Sequence, residues 1–102
     1  MMTQTILHTV NQSPFNKNTL QECINFYRKN DAIVLLENGV YGALDSQPFA
    51  NELKHKQCYA VKSDIHARGL NTSDSLIENI QIIDYQQFVQ LVTKFNNIQN
   101  WY

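Results

Sequence analysis

Apolar positions along the chain fall into four short runs separated by stretches with helical spacing, and this alternation predicts βαβ units that build a mostly parallel sheet. The first run, Thr5-Ile6-Leu7-His8-Thr9-Val10, predicts a strand, and the polar cluster Asn11-Gln12-Ser13-Pro14 predicts a loop after it. Asn18 is placed to cap a helix in which Leu20, Cys23, Ile24 and Tyr27 share one face, with its end near Lys29-Asn30. Ala32-Ile33-Val34-Leu35-Leu36 is apolar throughout, as expected of a central strand covered by helices on both faces.

Asn38-Gly39 predicts a turn into a short helix over Val40-Tyr41-Gly42-Ala43-Leu44, which Gly42 weakens, and a further turn of helix is expected around Phe49-Ala50-Asn51-Glu52-Leu53. Cys58-Tyr59-Ala60-Val61 reads as the third strand, and a brief helix through Ile65 to Arg68 has Ser63 as its candidate cap and Gly69 as its terminator. Asn71 to Asn79 is polar and predicts an exposed connection. The fourth strand is Ile80-Gln81-Ile82-Ile83. Asp84 then caps the clearest amphipathic helix of the chain, with Phe88, Leu91, Val92 and Phe95 on its apolar stripe. The tail from Asn96 is polar until Trp101-Tyr102, an aromatic pair that predicts docking of the terminus.

No repeat or heptad pattern interrupts this order, which leaves a flavodoxin-like three-layer α/β arrangement. With 102 residues, 43% of them hydrophobic, the chain can fill one core and not two, so residues 1–102 are expected to form a single domain. So small a sheet leaves edges and helix faces uncovered, and association with partners is expected on that ground alone. A net charge of −1 with eight scattered Lys and Arg argues against direct binding of nucleic acid. No apolar run approaches the roughly eighteen residues needed to span a bilayer, and no basic segment followed by an apolar region marks a signal peptide, so a cytoplasmic location is expected.

Ligand sites of open parallel sheets lie beyond the carboxyl ends of the strands, a region to which His8, Asn11, Ser13, Glu37, Asn38, Lys62, Ser63, Asp64 and Asp84 are assigned. These residues form no recognisable catalytic set. No phosphate-binding glycine loop beyond the weak Gly39-x-x-Gly42 is present, so no cofactor is expected. His8, His55 and His66 lie in separate segments without a second ligand at metal spacing, so no metal is expected either, and His8 reads as an ordinary hydrogen-bonded residue.

Cysteine chemistry is the remaining candidate. Cys23 lies on the helix after the first strand, where a helix N-terminus favours thiolate, but it falls past the first turn and shares its face with Leu20, Ile24 and Tyr27. It can therefore be read as a nucleophile or as a small core residue. Cys58, inside an apolar strand, is the weaker candidate.

Ile6-Leu7-His8-Thr9-Val10-Asn11-x-Ser13-Pro14-Phe15, Leu35-Leu36-x-x-Gly39-Val40-Tyr41-x-Ala43-Leu44, Ala67-Arg68-Gly69 and Asp84-Tyr85-x-x-Phe88-Val89, taken in order, resemble the DsrH/TusB family. The resemblance runs nearly end to end and extends to a tryptophan near the C-terminus. It implies a DsrE/DsrF/DsrH-like fold and a heterohexamer with DsrE/TusD-like and DsrF/TusC-like subunits. It also implies exchange of persulfide sulfur with a TusA-like donor and a DsrC/TusE-like acceptor, in tRNA wobble-uridine 2-thiolation or in sulfur oxidation. In such complexes the principal persulfide-bearing cysteine belongs to the DsrE/TusD-like partner. Cys23, in Leu20-x-x-Cys23-x-x-Phe26, matches a cysteine of DsrH-type members that typical TusB sequences lack. The resemblance thus makes Cys23 a candidate persulfide carrier and tilts the chain toward the DsrH subgroup. It leaves a noncatalytic subunit as the alternative, with a stand-alone binding module of the same fold further behind. Arg68 is open to contact with a partner or a sulfur-bearing anion, or to a role at its own helix end, and the second is favoured.

Overall fold

A computed structural model describes residues 4–70 and 75–102. Among them, strands β1 (Ile6–Val10), β2 (Ala32–Leu35), β3 (Cys58–Val61), β4 (Gln81–Ile83) and β5 (Asn97–Trp101) form one sheet in the order β4-β3-β2-β1-β5. All four strand pairings are parallel, and β2 is central as its unbroken apolar run requires. The helices are α1 (Thr19–Phe26), α2 (Ala50–Leu53), α3 (Lys62–Ala67) and α4 (Tyr85–Val92), with a 3-10 helix over Glu37–Ala43.

Alternate strand residues point to opposite faces, so the two faces of the sheet own different cores. Val10, Ile33, Leu35, Cys58 and Ala60 pack with Leu20 and Cys23 of α1, Val40 and Ala43 of the 3-10 helix, Leu53 of α2 and Ile65 of α3. Leu7, Ala32, Val34, Tyr59, Val61 and Ile83 face the other way, against Phe88, Leu91 and Val92 of α4 and Phe95 beyond it. Three layers result. Coverage is unequal, because α4 alone among the described helices shields the second face and none of its own residues is fully buried.

Several expectations need correction. The tail docks as expected, but as an element not foreseen: it is a fifth strand that pairs in register with β1 from Ile6↔Asn97 to Val10↔Trp101. Backbone hydrogen bonding to an otherwise open edge makes this strand, and its exposed side chains supply no apolar alternation to betray it. Helix α1 stops at Phe26 rather than near Lys29-Asn30, because Tyr27 is already extended and Asn30 takes a positive φ of 75° to turn the chain into β2. Asn18 stands at the start of α1 without a side-chain cap. Ser63 is not a cap either, since α3 follows β3 directly with Val61 at its cap position. Gly69 does end that segment, at φ +68°.

Residues 71–74 of the expected exposed connection lie outside the described residues. Its later part is less exposed than its composition suggests: Ile77 is buried in the first core, and Leu76 forms an antiparallel bridge with Leu44. Asp84 caps α4 as expected, accepting from the Gln87 amide at 2.7 Å while Gln87 Oε1 accepts from the Asp84 amide at 2.8 Å, a reciprocal capping box.

Candidate functional site

Cys23 projects from the middle of α1 into the first core and is 0% exposed. Burial above all, with the Asp31 carboxylate adding to it and Lys56 opposing it in part, pushes its thiol up from the ordinary 9.0 to about 12. Desolvation disfavours the charged form, so the thiolate needed to attack a persulfide is suppressed at neutral pH. Cys58 is also buried, and the same desolvation pushes its thiol up. Neither cysteine belongs to the grooves at the carboxyl ends of the strands, which are lined by residues such as Leu36, Glu37, Ser63, Tyr85 and Phe88 on one side and Ser13, Asn16, Asn38 and Tyr41 on the other.

Some of the polar residues assigned to those carboxyl ends do come together. Asp64 Oδ2 accepts from the Glu37 amide at 2.8 Å, where Glu37 holds φ +52°. Arg68 donates from Nε to Asn38 Oδ1 at 2.9 Å and from Nη1 to the Asp64 carbonyl at 3.3 Å. Arg68 therefore ties α3 to the strained entry of the 3-10 helix, which is a structural role, although not simply the helix-end one expected. Asp84 is occupied in its capping box, and Ser13 Oγ accepts from the Phe15 amide. Asn11 contributes a buried Oδ1 that has no hydrogen-bond partner among the described residues. Lys62 and Ser63 remain beside a groove shared with His66, Asp84 and Tyr85. No group of three His, Cys, Asp or Glu able to hold a metal ion occurs among the described residues, and no described helix is long and apolar enough to cross a membrane.

His8 belongs elsewhere. It lies mid-strand in β1, not beyond the carboxyl end, and is 0% exposed. Its Nε2 meets Asp31 Oδ2 at 2.9 Å, and its Nδ1 accepts from Trp101 Nε1 at 3.1 Å. Asp31, 1% exposed, also accepts from the amides of Ile6 at 2.9 Å and Arg28 at 3.0 Å. Phe26, Tyr27 and Trp101 surround the imidazole with ring centroids 6.0–6.5 Å away. Asp31 was absent from the sequence-based candidates. The signal that could have found it is an acidic residue at the head of an otherwise apolar strand, where a buried charge needs partners.

A family model described as "DsrH like protein" matches residues 12–98. The chain belongs to the DsrH family. Among DsrH-family relatives, Protein TusB of Buchnera aphidicola subsp. Baizongia pistaciae is 33% identical over 98 residues, covering 94% of this chain and 100% of that one. Protein TusB of Salmonella arizonae is 35% identical over 82 residues, covering 76% of this chain and 82% of that one. Among solved structures, the ychN protein from E. coli superposes with a TM-score of 0.84 at 15% identity over 96% of this chain and 99% of that one. Protein Tm0979 from Thermotoga maritima gives 0.65 at 25% identity over 87% of this chain and 92% of that one. These likenesses agree with the small flavodoxin-like fold that the DsrH-family motifs imply.

Proposed function

We propose that this DsrH-family chain is a noncatalytic subunit of a sulfur-relay complex for tRNA 2-thiolation, and that the persulfide rides on a partner's cysteine. Family membership and relatives named TusB support the complex and favour the tRNA setting over sulfur oxidation. The observation that carries the division of labour is the complete burial of Cys23, whose thiol is held in its protonated form by the core around it. A sulfur carrier must meet a donor and an acceptor, and this thiol meets neither without opening α1.

The chain's contribution is then surface. Tyr85 and Val89 on α4 are 68% and 50% exposed, and Ile98 on β5 is 45% exposed on the same side of the sheet, since it is in register with Leu7 of the α4-side core. Exposed aromatic and aliphatic side chains of this kind suit burial against another subunit. The proposed partners are DsrE/TusD-like and DsrF/TusC-like subunits in a heterohexamer that passes sulfur from a TusA-like donor to a DsrC/TusE-like acceptor. Co-expression with these subunits tests the reading: a complex should form, and Cys23→Ser should leave its sulfur transfer unchanged. A transfer-dead Cys23→Ser complex of normal composition would instead make Cys23 the carrier.

A further inference from the structure

We propose that His8 latches the C-terminal strand β5 onto β1 only while its imidazole is neutral, so that protonation of this buried ring releases Trp101 and loosens the strand. The hydrogen bonds assign the tautomer. An indole N–H only donates, so His8 Nδ1, 3.1 Å from Trp101 Nε1, must be the acceptor. The single ring proton is then on Nε2, where it is donated to Asp31 Oδ2 at 2.9 Å. A second proton has only Nδ1 to occupy, and there it would confront the indole N–H donor to donor. The charged ring keeps Asp31 and loses Trp101.

That loss matters because, beyond its backbone ladder to β1, β5 has few side-chain ties to the protein. Asn97 to Asn100 are exposed, and Trp101 is the residue of the strand that reaches the first core. The other side-chain ties run from Thr9 Oγ1 to Asn100 Oδ1 at 2.6 Å, on the α4-side face where Asn100 itself is exposed, and between Thr5 and Asn96 at the exposed start of the strand. Charged and titratable groups face His8 from several elements. Asp31 enters from the head of β2 with its carboxylate on Nε2. From α1 come Tyr27, whose hydroxyl donates to the Asp31 carbonyl at 2.7 Å, apolar Phe26, and Cys23, close enough to feel the Asp31 charge. Lys56 stands 5.4 Å above the Tyr27 ring. From β5 the residue in register with His8 is Gln99, which is neutral. Release of β5 uncovers the N–H and C=O groups along one side of β1, an edge able to pair with another strand.

Trp101 is the chain's only tryptophan, so intrinsic fluorescence reads the latch without labelling. On acidification short of global unfolding, the emission should shift reversibly to the red, while β1 and β5 amides lose about tenfold or more of their hydrogen-exchange protection and β2 and β3 amides keep theirs. His55→Gln with His66→Gln, two exposed sites away from the latch, should leave the shift in place. Trp101→Phe should give β1 and β5 amides that exchange quickly already at pH 8 and respond little to acid. Should that variant fail to fold, the imidazole nitrogen resonances of the unaltered protein decide: a proton on Nε2 alone at neutral pH is required. A proton on Nδ1, an emission maximum indifferent to pH, or loss of β5 only together with β2 and β3 would overturn the latch.

Discussion

The backbone carbonyl of Val10, at the end of β1, occupies the space that a side chain on residue 39 would need. A Cβ built on Gly39 would collide with that oxygen and crowd the Asn11 Cα, so the 3-10 helix can close over β1 only with glycine there. The obstacle is backbone, itself held by the Leu36 amide at 3.1 Å, and cannot swing aside as a side chain would. Gly39→Ala should therefore lower stability by about 3 kcal/mol, the upper part of the range for forced overpacking, as read from urea unfolding. A loss within experimental error would mean that the helix moves freely on the strand.

Asp31 holds three donors in a site almost closed to water: two backbone amides and the His8 ring. Asp31→Ala strands all three, so a destabilisation of about 3 kcal/mol or more is expected, against a smaller one for Trp101→Phe, which leaves a single acceptor unpaired. Thermal and urea unfolding of the two variants should rank them in that order.

The cysteines give stability an alkaline limit. Burial raises the Cys23 thiol from 9.0 to about 12 and also raises Cys58. Above about pH 9 the unfolded chain releases these protons while the folded chain keeps them, so folding stability is full below that pH and falls as pH rises toward about 12. Urea midpoints measured from pH 7 to pH 11 should decline above pH 9, and less steeply in Cys23→Ala than in the unaltered chain. In the same range, a thiol reagent should label Cys23 no faster than the protein unfolds.

At the start of α4, Asp84→Ala removes one half of the capping box and should cost about 1 kcal/mol. Helical protection over Tyr85–Val92 should weaken first in amide exchange, with the sheet little affected.

On the outer face of the same helix, Val89→Asp should change the stability of the isolated chain by no more than about 0.5 kcal/mol, because Val89 is half exposed. If α4 is the face that partners cover, the substitution should nevertheless abolish co-purification with them. Retention of the partners at normal yield would move the interface elsewhere.

Local chemistry made much of this fold legible. The unbroken runs Ala32–Leu35 and Cys58–Val61 could only be covered strands, Asp84 announced the start of α4, and Gly69 the stop of α3. What escaped was long-range. β5 is a strand because β1 offers it an edge, and nothing in Asn97-Ile98-Gln99-Asn100 states that; only the terminal Trp101 hinted at docking. The partnership of His8 with Asp31 and Trp101 joins residues 23 and 93 positions apart, beyond any periodicity. Cys23 was correctly placed on the apolar face of its helix, but face alone does not tell a thiol at the rim of a core from one sealed within it. Depth is a property of the packed layers.

Intact-mass measurement of every subunit, after the assembled complex is charged with a persulfide donor, bears most directly on a noncatalytic role. Added sulfur should be found on a partner subunit, with this chain at its unmodified mass whether residue 23 is Cys or Ser. Added sulfur on this chain that disappears in Cys23→Ser would contradict that role and make the buried thiol a carrier.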